Sequence, residues 1–282
     1  TCALPICLLD RAETLFKDLI AADAHTELAY RELLDIYQQE KDWDNAIHTA
    51  RKLESASGDK LNRTIAQFYC EKAEDTLAAG SMEHVLKNLH EALSIDPKCA
   101  RASLLEGRLL QRNGKFRQAI KMYQRIEQED PDILPEGIIP MRDCYRELQA
   151  EDEFMGYLRE VVSRHGSIAI ILMLAEQIAA REGTSAAIHF IAGELRKYPS
   201  VKGVDSLVQY ALTQAEGGTR ESLKAIKDLT GRLLHNRSAY KCYQCGFDAK
   251  TLHWYCPSCR NWSTIKPVYG WQDERTPHHH FT

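Results

Sequence analysis

Four of the chain's nine cysteines fall within eighteen positions, CYQCGFDAKTLHWYCPSC, residues 242–259, as two C-x-x-C pairs with ten residues between them. A C-x-x-C pair sets two sulfurs on one tight turn, and two such turns complete a tetrahedral shell of four thiolates. Cys242 and Cys245 supply one turn, Cys256 and Cys259 the other. Gly246 suits the positive φ that the first turn requires, and Pro257 stiffens the second. Turns of this kind also aim backbone amides at the sulfurs and spread their negative charge. Four thiolates leave no position for water or substrate, so the expected metal is structural rather than catalytic. Zinc is the expected ion, and iron with a redox role is the rival, because the same tetrahedron accepts it. Two disulfides are disfavoured, since nothing signals export. Covalent haem is disfavoured because Gly246 and Arg260, not His, follow the pairs. His253 lies between the pairs, where four sulfurs already close the shell, and reads as a surface or packing residue.

The intervening GFDAKTLHWY has room for a short hairpin and is rich in strand-forming aromatics. A segment of about 30 residues buries too little apolar surface to fold unaided, so the metal has to supply the missing stability. Residues 238–270 therefore read as a zinc ribbon of the rubredoxin-like kind. Tyr243, Phe247, Trp254, Tyr255 and Trp262 either dock the ribbon and anchor an interface or cover its own hairpin. Lys241, Lys250, Arg260 and Lys266 lie among those aromatics, a composition that can stack on and neutralise single-stranded RNA. Four cations on a chain with 40 acidic and 36 basic residues, net charge −4, make a thin footprint, so nucleic-acid binding is the disfavoured alternative.

The elements upstream of the ribbon follow a different rule. In DPKCARASLLEGRLLQRNGKFRQAIKMYQRIEQEDP, Pro97 and Pro131 are 34 residues apart, and Pro199 lies 68 further on. Gly107, Ala119 and Tyr123 fall where two antiparallel helices must approach closely, and the second helix ends before a proline that cannot continue it. This is the layout of a tetratricopeptide repeat. The same frame relates Ala12, Ala46, Val85, Ala119, Phe154 and Ala187, with steps of 34, 39, 34, 35 and 33, and the long step places an insertion near ESASGDKLN. Turn signals QEKDW, AAGSM, RNGKF, QAEDEF and REGTS separate the paired helices. Each pair buries one stripe only against its neighbours, so the expected fold is all-α, a tetratricopeptide-repeat solenoid with a binding surface on its concave side and the ribbon at its C-terminus. The expected organisation is an atypical start over residues 1–8 marking a truncated or replaced segment, repeats over 9–200, a terminal capping helical pair over 201–237 broken at Gly217-Gly218, the ribbon over 238–270, and a tail over 271–282. Three histidines in that tail read as accidental or appended rather than as a second metal site.

The near-balance of charge gives no global attraction to nucleic acid or anionic lipid. The longest strongly apolar stretch, Ile168 to Ala175, is far short of the roughly 20 residues that cross a bilayer. No secretory signal opens the sequence, and the remaining cysteines are scattered and odd in number, which argues for a reducing compartment. Cys70, Cys99 and Cys144 read as small core residues; Cys2 and Cys7 belong to the odd N-terminus. No His, Ser or Cys constellation stands with catalytic spacing near the exposed acids and bases of the helices, so no enzyme, no catalytic residue and no small-molecule substrate are expected. On composition the chain reads as soluble and cytoplasmic.

A tetratricopeptide array ending in such a ribbon, with YKCYQCGF, CPSCRNWSTIKP and the upstream IAQFYCEKA, resembles the lipopolysaccharide assembly protein B (LapB) family over about Leu9 to Gly270. The resemblance implies a non-enzymatic adaptor held by one N-terminal helix at the cytoplasmic face of the Gram-negative inner membrane. It further implies that the protein couples the FtsH protease to LpxC, the deacetylase that commits carbon to lipid A, touches other envelope-assembly proteins, and packs its ribbon against its repeats. The implied anchor has no match before Leu9, and WQDERTPHHHFT after Gly270 matches nothing in the family pattern.

Overall fold

The computed structural model describes residues 3–78, 80–235 and 237–268, with side chains from Leu8 onward. The expectations about Cys2 and the tail over 271–282 fall outside these residues, as does the side chain of Cys7. The chain divides into two compact units, Thr1–Glu106 and Gly107–Thr282, and the division falls within one helix.

The first unit holds α1 (Ala3–Ala21), α2 (Thr26–Glu40), α3 (Trp43–Ser57), α4 (Asn62–Ala78), α5 (Met82–Ile95) and the opening of α6 (Ala100–Arg112). The second holds α7 (Phe116–Glu129), a 3₁₀ turn at Pro131–Ile133, α8 (Leu134–Glu147), α9 (Glu151–Arg164), α10 (Ile168–Glu182), α11 (Thr184–Lys197), α12 (Val201–Leu212) and α13 (Gly217–His235). Three short strands follow, β1 (Tyr240–Cys242), β2 (Asp248–Ala249) and β3 (Ile265–Pro267). Helix α1 begins at Ala3, within the segment read as an atypical start.

The 34-residue frame has a direct meaning in the packing. Ala46, Val85, Ala119, Phe154 and Ala187 are each the fourth residue of their helix, and none is more than 3% exposed. Four residues on, Ala50, Leu89, Tyr123, Leu158 and Ile191 are fully buried. Positions i and i+4 share one face of a helix, so each of these helices turns one narrow stripe toward its neighbours. Ala12, on the longer α1, is only half-buried.

The long step between Ala46 and Val85 does not come from a loop insertion at ESASGDKLN. The connection after α3 spans residues 58–61, as long as the one after α5 over 96–99. The excess sits in the helices: α4 has 17 residues against 13 in α6, and α3 has 15 against 14 in α5. All five turn signals contain one residue in the left-handed region, Lys41, Gly80, Gly114, Gln149 and Gly183, which reverses the chain between paired helices. Ile168 to Ala175 opens α10, where Ile170, Ile171, Leu174 and Ala175 lie in the core; among the described residues no helix is long and apolar enough to cross a membrane. Cys70, Cys99 and Cys144 are buried free thiols, as core residues of their size should be.

The close approach expected at Gly107 is real. A Cβ there would lie 2.5 Å from Cε1 of Tyr123, whose ring is fully buried and whose hydroxyl donates to Gln111 Oε1 at 2.9 Å. A rigid ring enclosed on all sides cannot yield, so Gly107→Ala forces the two helices apart and lowers stability by about 1–3 kcal/mol, more than its gain in helix propensity returns. Denaturant unfolding followed by circular dichroism measures this; an unchanged midpoint would contradict the packing.

Candidate metal centre

The ribbon is built from two near-identical turns. In the first, the Gly246 amide donates to the Cys242 carbonyl at 2.9 Å and the Cys242 amide to the Phe247 carbonyl at 2.7 Å. In the second, Arg260 donates to Cys256 at 2.9 Å and Cys256 to Asn261 at 3.0 Å, the same bonds at the same offsets. The residue after each second cysteine is left-handed, Gly246 at φ 80° and Arg260 at φ 57°. That conformation is free for glycine and strained for arginine.

These turns bring the four sulfurs within 4.8 Å of one another. Cys242 and Cys259 are 3.7 Å apart, as are Cys245 and Cys256. A tetrahedron with metal–sulfur bonds of about 2.3 Å has edges of about 3.8 Å, whereas a disulfide requires about 2.05 Å. The spacing therefore fits a closed four-thiolate shell and excludes two disulfides. The donor set is all sulfur, which suits zinc or iron. His253 is exposed, with Nε2 3.3 Å from Thr251 Oγ1, and stands apart from the sulfur cluster.

Electrostatics differ among the ligands. The Phe247 backbone amide holds the exposed Cys245 thiol down to about 6, while burial pushes Cys256 up to about 12 against amides of Cys259 and Ser258. The Cys242 sulfur also lies 3.3 Å from Thr264 Oγ1. Around the sulfurs the apolar core is minimal. Cys242, Cys256 and Ile265 are its buried members, with Tyr240, Phe247 and Leu252 packed against them.

The sheet order is β2-β1-β3, both pairs antiparallel, with Tyr240 opposite Ala249 and Pro267. A hairpin inside GFDAKTLHWY is not what forms. β1 and β2 instead straddle the first cysteine turn, and an isolated bridge from Tyr255 to Trp262 straddles the second. The cysteine turns are themselves the hairpin loops, which the ten-residue spacer had obscured.

Within the second unit, and among the described residues, two polar contacts outside the aromatics fasten the ribbon to the helices. Tyr240 donates its hydroxyl to Glu136 of α8, and Lys266 pairs with Asp130, the residue between α7 and the 3₁₀ turn. Burial, then the Glu136 carboxylate, push the Tyr240 hydroxyl up, so it stays a donor. Of the aromatics that could dock the ribbon or cover its own hairpin, Phe247 lies in the ribbon's own core and Tyr255 and Trp262 are ring partners at 4.8 Å, which is self-coverage, while Tyr243 is 41% exposed. Lys266, counted among the cations able to meet RNA, is mostly buried and engaged by Asp130. The clue available in sequence was an acid immediately before the repeat-ending Pro131.

Two outcomes follow from this geometry. Any metal must displace the Cys256 proton throughout the neutral range, so metal affinity falls as pH falls, and falls more steeply below about pH 6, where Cys245 is protonated as well. Chelator competition between about pH 5 and 8 measures the slope, and a flat profile would contradict the assignment. Gly246→Ala strains the first turn and lowers ribbon stability by about 1 kcal/mol, whereas Arg260→Gly removes the left-handed strain of the second and costs less than Gly246→Ala. Metal-loaded unfolding followed by tryptophan fluorescence separates the two variants.

Comparison with known proteins agrees with both halves of the architecture. Residues 240–267 match a rubredoxin metal-binding domain model, the LapB zinc ribbon, and residues 71–136 match a tetratricopeptide-repeat model. Lipopolysaccharide assembly protein B of Escherichia coli strain K12 is 35% identical over 264 residues, 93% of this chain and 68% of that protein. The Haemophilus influenzae protein of the same name is 35% identical over 260 residues, 92% of this chain and 65% of that one. The chain thus spans about two thirds of the length of these relatives. With repeats, ribbon and nearly the whole sequence aligned, the chain belongs to the lipopolysaccharide assembly protein B family.

Proposed function

We propose that the chain is a non-enzymatic adaptor of lipopolysaccharide biosynthesis that couples the FtsH protease to the deacetylase LpxC, so that excess deacetylase is degraded, and that contacts other envelope-assembly proteins. The observation that carries this reading is identity to LapB running through repeats and ribbon together over 264 residues. Helical repeats expose many side chains on rigid elements and are suited to gripping other proteins. The ribbon is the second gripping element, closed by zinc on Cys242, Cys245, Cys256 and Cys259 and held in place by Tyr240 and Lys266. When bound, the ion supplies cross-linking stability and no open coordination site. Its partners place the adaptor's work at the cytoplasmic face of the inner membrane. In this reading the repeats occupy 9–200, a capping pair that contains α12 and α13 occupies 201–237, and the ribbon occupies 238–270.

Replacing Cys256 and Cys259 together with Ser unfolds the ribbon, leaves the helices intact by circular dichroism, and raises the steady-state level of the deacetylase in Gram-negative cells that depend on this chain. Affinity capture with the intact chain recovers protease and deacetylase; capture without the ribbon loses at least one of them. Unchanged deacetylase turnover in the double variant would reject the coupling role. Metal analysis of the purified chain should return one zinc and no colour, and a coloured iron form would reject zinc.

A further inference from the structure

A cleft of about 460 Å³ opens in the second unit where the ribbon meets the ends of four helices. Its volume is in the range of ligand sites, about 300–1,000 Å³, and admits a few side chains rather than a helix. One wall is apolar and belongs to the helices: Ile139 of α8, 54% exposed, with Ile168 and Val201 beneath and Leu234 of α13 beside them. The facing wall belongs to the ribbon, formed by Tyr240, Pro267 and Val268.

The cleft carries an excess of positive charge. Its lining sets Lys202 and Arg237 against one carboxylate, Glu136, which accepts the Tyr240 hydroxyl and keeps its charge. Lys202 is exposed in the first turn of α12. Both α10 and α12 begin among the lining residues, at Ile168 and Val201; the Gly203 amide is capped by Ser200 Oγ at 3.3 Å and the Ile170 amide bonds the Ser167 carbonyl at 3.1 Å, which leaves the first two amides of each helix without a partner inside it. Helix starts and a lysine together favour an anion, and the apolar wall beside them favours a greasy neighbour to that anion.

We infer that this cleft is a binding site for a short extended peptide of a partner protein presenting an apolar side chain next to a carboxylate, an inference that rests on the adaptor reading above. Five of the fifteen lining residues belong to the ribbon, and the ribbon's strands depend on the sulfur-bound metal, so peptide binding depends on the metal although no peptide atom touches it. The site thus ties the metal centre to partner recognition by position rather than by coordination.

The test is fluorescence anisotropy of fluorescein-labelled Leu-Leu-Asp amide and its Leu-Leu-Asn counterpart, titrated with the full zinc-loaded chain. The acidic peptide binds, and the neutral one binds at least about tenfold more weakly. Lys202→Glu and Ile139→Glu, both at exposed positions, each weaken the acidic peptide by about tenfold or more while circular dichroism and melting temperature stay unchanged. Metal removal abolishes binding. Equal binding by the two peptides, equal binding by the variants, or no binding by the intact chain would overturn the site. So would binding of dodecanoate in place of the peptide, which would make the cleft a lipid site, or peptide binding only after deletion of residues 269–282, which would make the chain's own tail the occupant. Capture of protease and deacetylase by the same variants keeps the two readings apart: retained capture with no peptide binding sinks this site alone, and failed capture by the unaltered chain sinks the adaptor reading.

Discussion

The ribbon cannot hold itself together by burial. Around the sulfurs its core has three buried residues, two of which, Cys242 and Cys256, are candidate metal ligands; Ala249 and Pro267 are the other buried residues described in the ribbon. Strands of two and three residues add few ladder hydrogen bonds. A structural zinc supplies about 10–16 kcal/mol of apparent binding energy to such a segment, far more than three buried side chains can. The sulfur geometry at 3.7 Å is therefore the constraint from which the rest of the ribbon follows. Matched hydrogen bonds in the two cysteine turns exist because both turns must present two sulfurs to one point. The price of that symmetry is a left-handed arginine at position 260, where the first turn has a glycine.

The helices obey a different economy of contacts. Stripes at the fourth and eighth positions, with alanine as often as a large residue at the fourth, let neighbouring helices come close at one level and interlock at the next. Gly107 against Tyr123 is the extreme case, where a missing side chain makes room for a ring. The two systems meet at Asp130. It ends α7 just before the repeat-terminating Pro131 and also pairs with Lys266 of the ribbon, so a residue at a repeat boundary doubles as an attachment point.

Much of this was legible in the sequence because both signals are periodic. Two C-x-x-C pairs bring four sulfurs together whatever lies between them, and the frame through Ala46, Val85, Ala119, Phe154 and Ala187 found the buried fourth position of five helices. What failed to read through was non-periodic. An extra turn in α4 looked like an insertion between helices, because a sequence step of 39 does not say whether helix or loop has lengthened. The docking contacts Tyr240–Glu136 and Lys266–Asp130 join residues more than 100 positions apart and follow no spacing rule. For the aromatics both docking and self-coverage could be read from the sequence, and in so small a domain Phe247, Tyr255 and Trp262 take the second role. The cleft beside Lys202 is likewise a product of placement, since its lining is drawn from four helices, a connecting segment and two strands.

The register of the sheet carries one more implication. Tyr240, where the chain enters the ribbon, lies directly opposite Pro267, and the Val268 amide closes onto the Ala239 carbonyl at 2.9 Å. Entry and exit are one rung apart, a gap that a tight hairpin turn of about two residues spans. The ribbon is thus a detachable cassette, able to be excised, exchanged with a relative's or re-inserted at another tight turn without altering the path of the helices that carry it.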